Sequence, residues 1–82
     1  MKKIKFITPV YEELFSVNDG ESVRLVDEYG NEQIICCSYV DEYHFMEDGK
    51  WTWHICEFAE RNENEGYVVS PVRREDGLSN DN

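Results

Sequence analysis

The sequence predicts an α+β fold: a mainly antiparallel sheet of about five strands, built from consecutive hairpins, with one short helix packed on one face. Three observations lead there. Turn signals recur at short intervals, as Asn18-Asp19-Gly20, Tyr29-Gly30-Asn31 and Asp48-Gly49. The runs between them, LFSV, SVRLV, QIICCSYV and YHFM, are rich in β-branched, aromatic and other apolar residues. After Trp53 the apolar period lengthens from that of a strand to that of a helix.

Each element follows in order. An Asp-Gly turn supplies the positive φ that a two-residue hairpin requires. On Asp19-Gly20 this construction sets Val17 opposite Ser22 and Leu14 opposite Leu25. Tyr29-Gly30-Asn31 marks the second hairpin. In QIICCSYVD, Ile34, Cys36, Ser38 and Val40 share one face while Ile35, Cys37 and Tyr39 share the other. Apolar residues on both faces suggest a central strand. With Asp48-Gly49 as a two-residue loop, Glu47 faces Lys50, Met46 faces Trp51, Phe45 faces Thr52 and His44 faces Trp53.

Ile55, Phe58, Ala59 and Asn62 fall at helical spacing, so a helix is expected from about His54 to Asn62. Glu57 and Arg61 stand in the favourable i,i+4 orientation, and Gly66 can end the helix. GYVVSP reads as a last short strand. Residues 1–72 therefore make one domain, and RREDGLSNDN, 73–82, a polar tail expected to be disordered. The expected core is Leu14, Val23, Leu25, Ile34, Cys36, Val40, Phe45, Ile55, Phe58 and Val68.

Composition bounds the function. The 82 residues carry 8 Lys and Arg against 18 Asp and Glu, a formal charge of −10. Such a field repels phosphate backbones and anionic membranes and favours cationic partners. Three cysteines, two of them adjacent, argue for reduced thiols. The start MKKIKF lacks the apolar run of a leader, and no stretch approaches a membrane span. A cytoplasmic protein, bacterial or viral, is expected.

TWHICEFAERNEN gathers histidine, cysteine and carboxylates, yet neither Cys-x2-Cys nor His-x3-His appears. His54 and Cys56 stand about 200° apart on a helix, so neither a metal site, a cofactor nor a cysteine nucleophile is expected, and the protein is read as no enzyme. The aromatics Tyr39, Tyr43, Phe45, Trp51 and Trp53 lack the interleaved cations of a single-strand binder and are expected to pack. What stands out is carboxylates at turns. Asp27, Glu28, Asp41, Glu42, Glu47 and Asp48 form the expected partner-binding surface, and Glu47 and Asp48 sit where substitution should cost little.

YVDEYHFMEDGKWTWHICEFAERNENEGYVVSPV, Tyr39 to Val72, resembles small accessory domains found alone or within the large polyvalent proteins of phages and conjugative elements. The resemblance covers under half the chain and carries no catalytic motif. It implies a mobile genetic element, whose small acidic proteins include inhibitors that present carboxylates where a nuclease expects phosphates. Two readings follow. One is an acidic interaction protein for a basic DNA- or RNA-handling protein. The alternative is a structural accessory module whose acidity serves only solubility and whose contacts are apolar, a homodimer being one form of them.

Overall fold

The computed structural model describes residues 2–72. The strands β1 (Lys3–Ile7) and β2 (Glu13–Asn18) form a two-stranded antiparallel ribbon. β3 (Ser22–Val26), β4 (Glu32–Asp41), β5 (His44–Glu47), β6 (Trp51–His54) and, after the helix α1 (Ile55–Glu65), β7 (Val68–Pro71) form a five-stranded sheet in the order β6-β5-β4-β3-β7. All pairings are antiparallel. The fold is α+β, as the sequence predicts. The expected tail, 73–82, lies outside the described residues.

The stretch read only as lacking the apolar run of a leader contributes the first strand, Lys3–Ile7. Lys3 and Lys5 point outward while Ile4 and Phe6 are buried, the alternation of a half-buried strand. Ile4 and Phe6, joined by Val17 of β2, close over Val23, Leu25, Ile35, Cys37 and Phe45 from the main sheet. α1 lies over β1 and the two edge strands β6 and β7 and buries Ile55, Phe58, Ala59 and Asn62. The aromatic centre is a set of edge contacts. Phe45 and Phe58 stand 4.9 Å apart at 87°, and Phe58 also meets Trp53 at 5.4 Å and Phe6 at 5.8 Å.

Several local expectations are corrected. Asp19-Gly20 closes no hairpin. β2 pairs with β1, Val17 opposite Ile4, and β3 pairs with β4 and β7, so the turn crosses between sheets. It is docked on β4 by the Gly20 N–H to the Cys37 carbonyl, 2.8 Å, and the Tyr39 N–H to Asp19 Oδ1, 2.9 Å. The Asp48-Gly49 hairpin forms with a loop one residue longer than expected. Glu47 faces Trp51, Met46 faces Thr52, Phe45 faces Trp53 and His44 faces His54. Asp48 and Gly49 take φ of 53° and 70°, the Lys50 N–H closes on the Glu47 carbonyl, and Lys50 is left over as the extra loop residue.

The core face of β4 is the opposite of the one expected. Ile35 and Cys37 are buried, whereas Ile34 is 53% exposed and Cys36 also faces solvent. A shift of one residue turns every side chain over, and pairing with β3 decides it: Val23 stands opposite Ile35, so the two enter the core together. Leu14 and Val40, both exposed, fail for a shared reason. Phe6 pairs with Phe15 and Ile7 with Glu13, leaving Leu14 as the extra residue of a bulge, and Val40 is likewise skipped between the Tyr39 and Asp41 pairs. Val68 opens the edge strand β7 and is 69% exposed. Val23, Leu25, Phe45, Ile55 and Phe58 are core as expected.

The helix begins one residue after His54 and runs to Glu65, a turn past its expected end. The His54 Nδ1 caps it by accepting the Cys56 N–H at 3.1 Å. Gly66, at φ 78°, ends it in the left-handed conformation that only glycine adopts freely, donating to the Asn62 and Glu63 carbonyls.

Candidate functional site

The six turn carboxylates occupy three places along β4. Asp27 and Glu28 lie in the loop before it, and Asp41 and Glu42 at its far end. Glu47 and Asp48 sit beside its middle, opposite Cys36 and Cys37. A ten-residue strand spans roughly 30 Å, so the two end pairs are far apart. The structure does not gather the six into one patch.

Four of the six also serve the fold. Asp27 Oδ1 accepts the N–H groups of Tyr29 and Asn31, both at 2.9 Å, while its Oδ2 accepts the Asn31 amide at 3.0 Å. Asp41 Oδ1 accepts the Tyr43 N–H and contacts the His44 Nδ1, each at 2.8 Å. Glu47 Oε1 accepts the Trp53 indole N–H at 2.8 Å, and Asp48 Oδ1 accepts the Cys36 N–H at 2.8 Å. The expectation that Glu47 and Asp48 are cheap to substitute is therefore corrected. Replacing both removes two charge-assisted hydrogen bonds that hold β6 to β5 and β5 to β4. Glu28 and Glu42 are exposed and make no side-chain hydrogen bond among the described residues.

Asp27 and Asp41 titrate below the ordinary carboxylate range, chiefly through the Asn31 side-chain amide and the His44 ring respectively. A carboxylate whose folded pKa is depressed adds stability that is complete above its unfolded value and lost as pH falls through the folded one. The melting temperature is thus expected to hold from neutral pH to about pH 4.5 and to fall below about pH 4. A double Asp27→Asn, Asp41→Asn variant should melt lower at neutral pH and lose less on acidification. Equal acid losses in both proteins would show that other groups govern the acid limb.

One acidic row escaped the turn-based reading. Glu57, Glu60 and Glu63 line the solvent side of α1 at spacings of three residues, about 5–6 Å between neighbours. The Glu57–Arg61 pair that the spacing predicts does not form. Arg61 turns inward, its guanidinium over Trp53 at 5.1 Å, Phe58 at 5.2 Å and Tyr67 at 5.5 Å, and it donates to Asn62 Oδ1. The signal was present in the i,i+3 step from Phe58 to Arg61, between two further aromatics.

The two histidines meet across β5 and β6, ring centroids 5.1 Å apart, but the cysteines do not join them in one site. Cys37 is buried, and burial pushes its thiol up to about 12. Cys36 faces out on the other side of β4, while His44 and His54 have their Nδ1 atoms taken by Asp41 and the Cys56 N–H. Among the described residues no three His, Cys, Asp or Glu side chains stand where they could hold one metal ion. Nor, among these residues, is any helix long and apolar enough to cross a membrane. Compared with known proteins, the chain matches no family model, no curated protein and no solved structure.

Proposed function

We propose that the protein is a small acidic interaction protein of a mobile genetic element. It binds a basic DNA- or RNA-handling protein by offering carboxylates in place of phosphates, and catalyses nothing. The observation that carries this reading is uncompensated charge. Among the described residues the sole Lys or Arg ion pair to a carboxylate is Arg24 Nε to Glu32 Oε2, 2.6 Å. With Arg61 withdrawn onto the aromatic core, the Glu57, Glu60, Glu63 row has no cation from its own helix, and Glu28 and Glu42 remain free at two loops. Asp27, Asp41, Glu47 and Asp48 add charge to those loops while holding them in shape.

The test separates charge from folding by reversing only carboxylates outside the hydrogen-bond network. Immobilised wild type is compared with a Glu57→Lys, Glu60→Lys, Glu63→Lys variant and with a Glu28→Lys, Glu42→Lys variant, in a bacterial lysate at low salt. The expected result is capture of a nucleic-acid-handling protein that rising salt and added duplex DNA both displace, since facing charges are screened over about 8 Å at physiological ionic strength. At least one variant should capture less. Capture indifferent to DNA, salt and both variants would leave the charge as solvation only.

The accessory-module reading has its own observation. Leu14 and Val68, both well exposed, line an apolar groove of about 330 Å³ between α1, the β1–β2 loop and β7. A homodimer through that groove would persist in high salt, which sedimentation distinguishes from a charge-driven complex.

A further inference from the structure

The cations of this acidic chain are unevenly placed. Of the six Lys and Arg side chains in residues 2–72, Arg24 is paired with Glu32, Arg61 is stacked on the core, and Lys50 sits in the β5–β6 loop. Of the other three, Lys2 immediately precedes β1 and Lys3 and Lys5 stand on it. Lys3 and Lys5 line a cleft of about 300 Å³ where β1 meets the end of β4 and the start of α1. Being two residues apart on one strand face, they rise from backbone positions about 7 Å apart, within reach of a single anionic group.

The rest of the wall is aromatic and rich in donors. Tyr11, Tyr39, Tyr43 and His54 line the cleft. Because the His54 Nδ1 accepts the Cys56 N–H, the proton of the neutral ring is on Nε2, which makes that nitrogen a donor. The Tyr43 and His54 rings are nearly parallel, 9° between planes with centroids 6.4 Å apart, and present flat π surface. Lys2 rests over the Tyr39 ring at 5.4 Å, adding positive charge at the rim. Two acceptors, Glu13 and Glu42, and the apolar Ile7 and Ile55 complete the lining.

Tyr11 is held there under strain. Its φ is 67°, a conformation a bulky side chain rarely takes. Thr8 enforces it: its carbonyl accepts the Tyr11 N–H at 2.9 Å, and its hydroxyl accepts the N–H groups of Val10 and Glu12. Strained positions that the surroundings over-determine in this way cluster at active sites and ligand clamps, and Tyr11, 67% exposed, contributes little to the core.

We propose that this cleft binds a mononucleotide-sized aromatic phosphate monoester, with the phosphate between Lys3 and Lys5 and the ring against Tyr43 and His54. Glu13 and Glu42 then accept from the ligand's hydroxyl or amino groups. An inorganic anion leaves the aromatic wall unused, and an uncharged aromatic leaves the lysines unused. The cleft is distinct from the α1 row, shares only Glu42 with the partner-facing carboxylates, and binds whether or not that row has a partner.

The experiment is a backbone-amide NMR titration of the full chain, in low salt, with the four ribonucleoside 5′-monophosphates, with inorganic phosphate and with adenosine. At least one monophosphate is expected to give saturable shifts at Lys3, Lys5, Tyr11, Tyr43 and His54, and to bind about tenfold or more tighter than either phosphate or adenosine. A Lys3→Gln, Lys5→Gln variant, changed only on the outer face of β1, should keep the wild-type spectrum elsewhere and weaken binding about tenfold or more. Tyr43→Ser, in the exposed β4–β5 turn, should weaken the monophosphate and leave phosphate unchanged. Saturable shifts that map elsewhere, equal affinity for phosphate alone, or no saturation by any of the four would overturn the proposal.

Discussion

Replacing Phe58 by alanine is expected to destabilise the domain by roughly 3–5 kcal/mol, the usual cost of emptying a buried phenylalanine site. Phe58 is 1% exposed and its ring is edge-on to Phe45, Phe6 and Trp53, so three elements lose a shared neighbour at once. The rings around it are anchored in strands and cannot collapse far into the space. For a domain this small the loss approaches the whole of its stability, since small domains fold with roughly 5–15 kcal/mol at most. Chemical denaturation read by tryptophan fluorescence measures it. Phe58→Leu should retain most of the midpoint, and a Phe58→Ala protein that unfolds at the wild-type midpoint would show that α1 does not pack as described.

Arg61→Ala carries the second large effect, about 2 kcal/mol, although an arginine on a solvent-side helix turn would ordinarily cost a few tenths. The guanidinium covers three aromatic faces and donates to Asn62 Oδ1. Asn62 is 4% exposed and its Nδ2 has no partner among the described residues, so removing Arg61 leaves the buried side-chain amide with no hydrogen bond among them. Arg61→Lys should recover only part of the loss, because a compact ammonium touches less of the three rings than the broader guanidinium does. Glu57→Gln is the control. If Arg61 acted through an ion pair with Glu57, both variants would be mild and salt-sensitive. On the geometry found, Glu57→Gln changes stability little and Arg61→Ala changes it at every salt concentration.

These effects trace to features with different visibility in the sequence. The helix was legible because its apolar positions repeat over several turns and Gly66 closes it, so Phe58 and Ile55 are found on the buried face without any knowledge of their partners. The inward turn of Arg61 was less so. At i,i+4 from Glu57 it satisfies the local rule for an exposed pair, and only the arrival of Trp53 from β6 and Tyr67 from the helix end offers the better site. The turn carboxylates show the same limit. Asp27, Asp41 and Asp48 stand out by composition as surface charge, but an aspartate at a turn also caps backbone N–H groups, and which N–H it meets depends on the strand beside it. The cleft residues Lys3, Lys5 and Tyr11 carry no motif and become neighbours only when β1 is laid against β4 and α1.

By itself the chain determined its element types, most of its turn positions, the helix face and the charge, because these arise from interactions within a few residues: positive φ at glycine and aspartate, three-and-four spacing, and net ionisation. Tertiary structure alone decided the phase of β4, the partner of β2 and the fate of Leu14 and Val40. QIICCSYV is apolar on both faces, so no local energy prefers Ile34 and Cys36 over Ile35 and Cys37. The choice falls to pairing, where Val23 opposite Ile35 and bulges at Leu14 and Val40 let the ribbon, the sheet and α1 close over one core. A strand's period of two makes such a choice all-or-none, and only contacts distant in sequence make it.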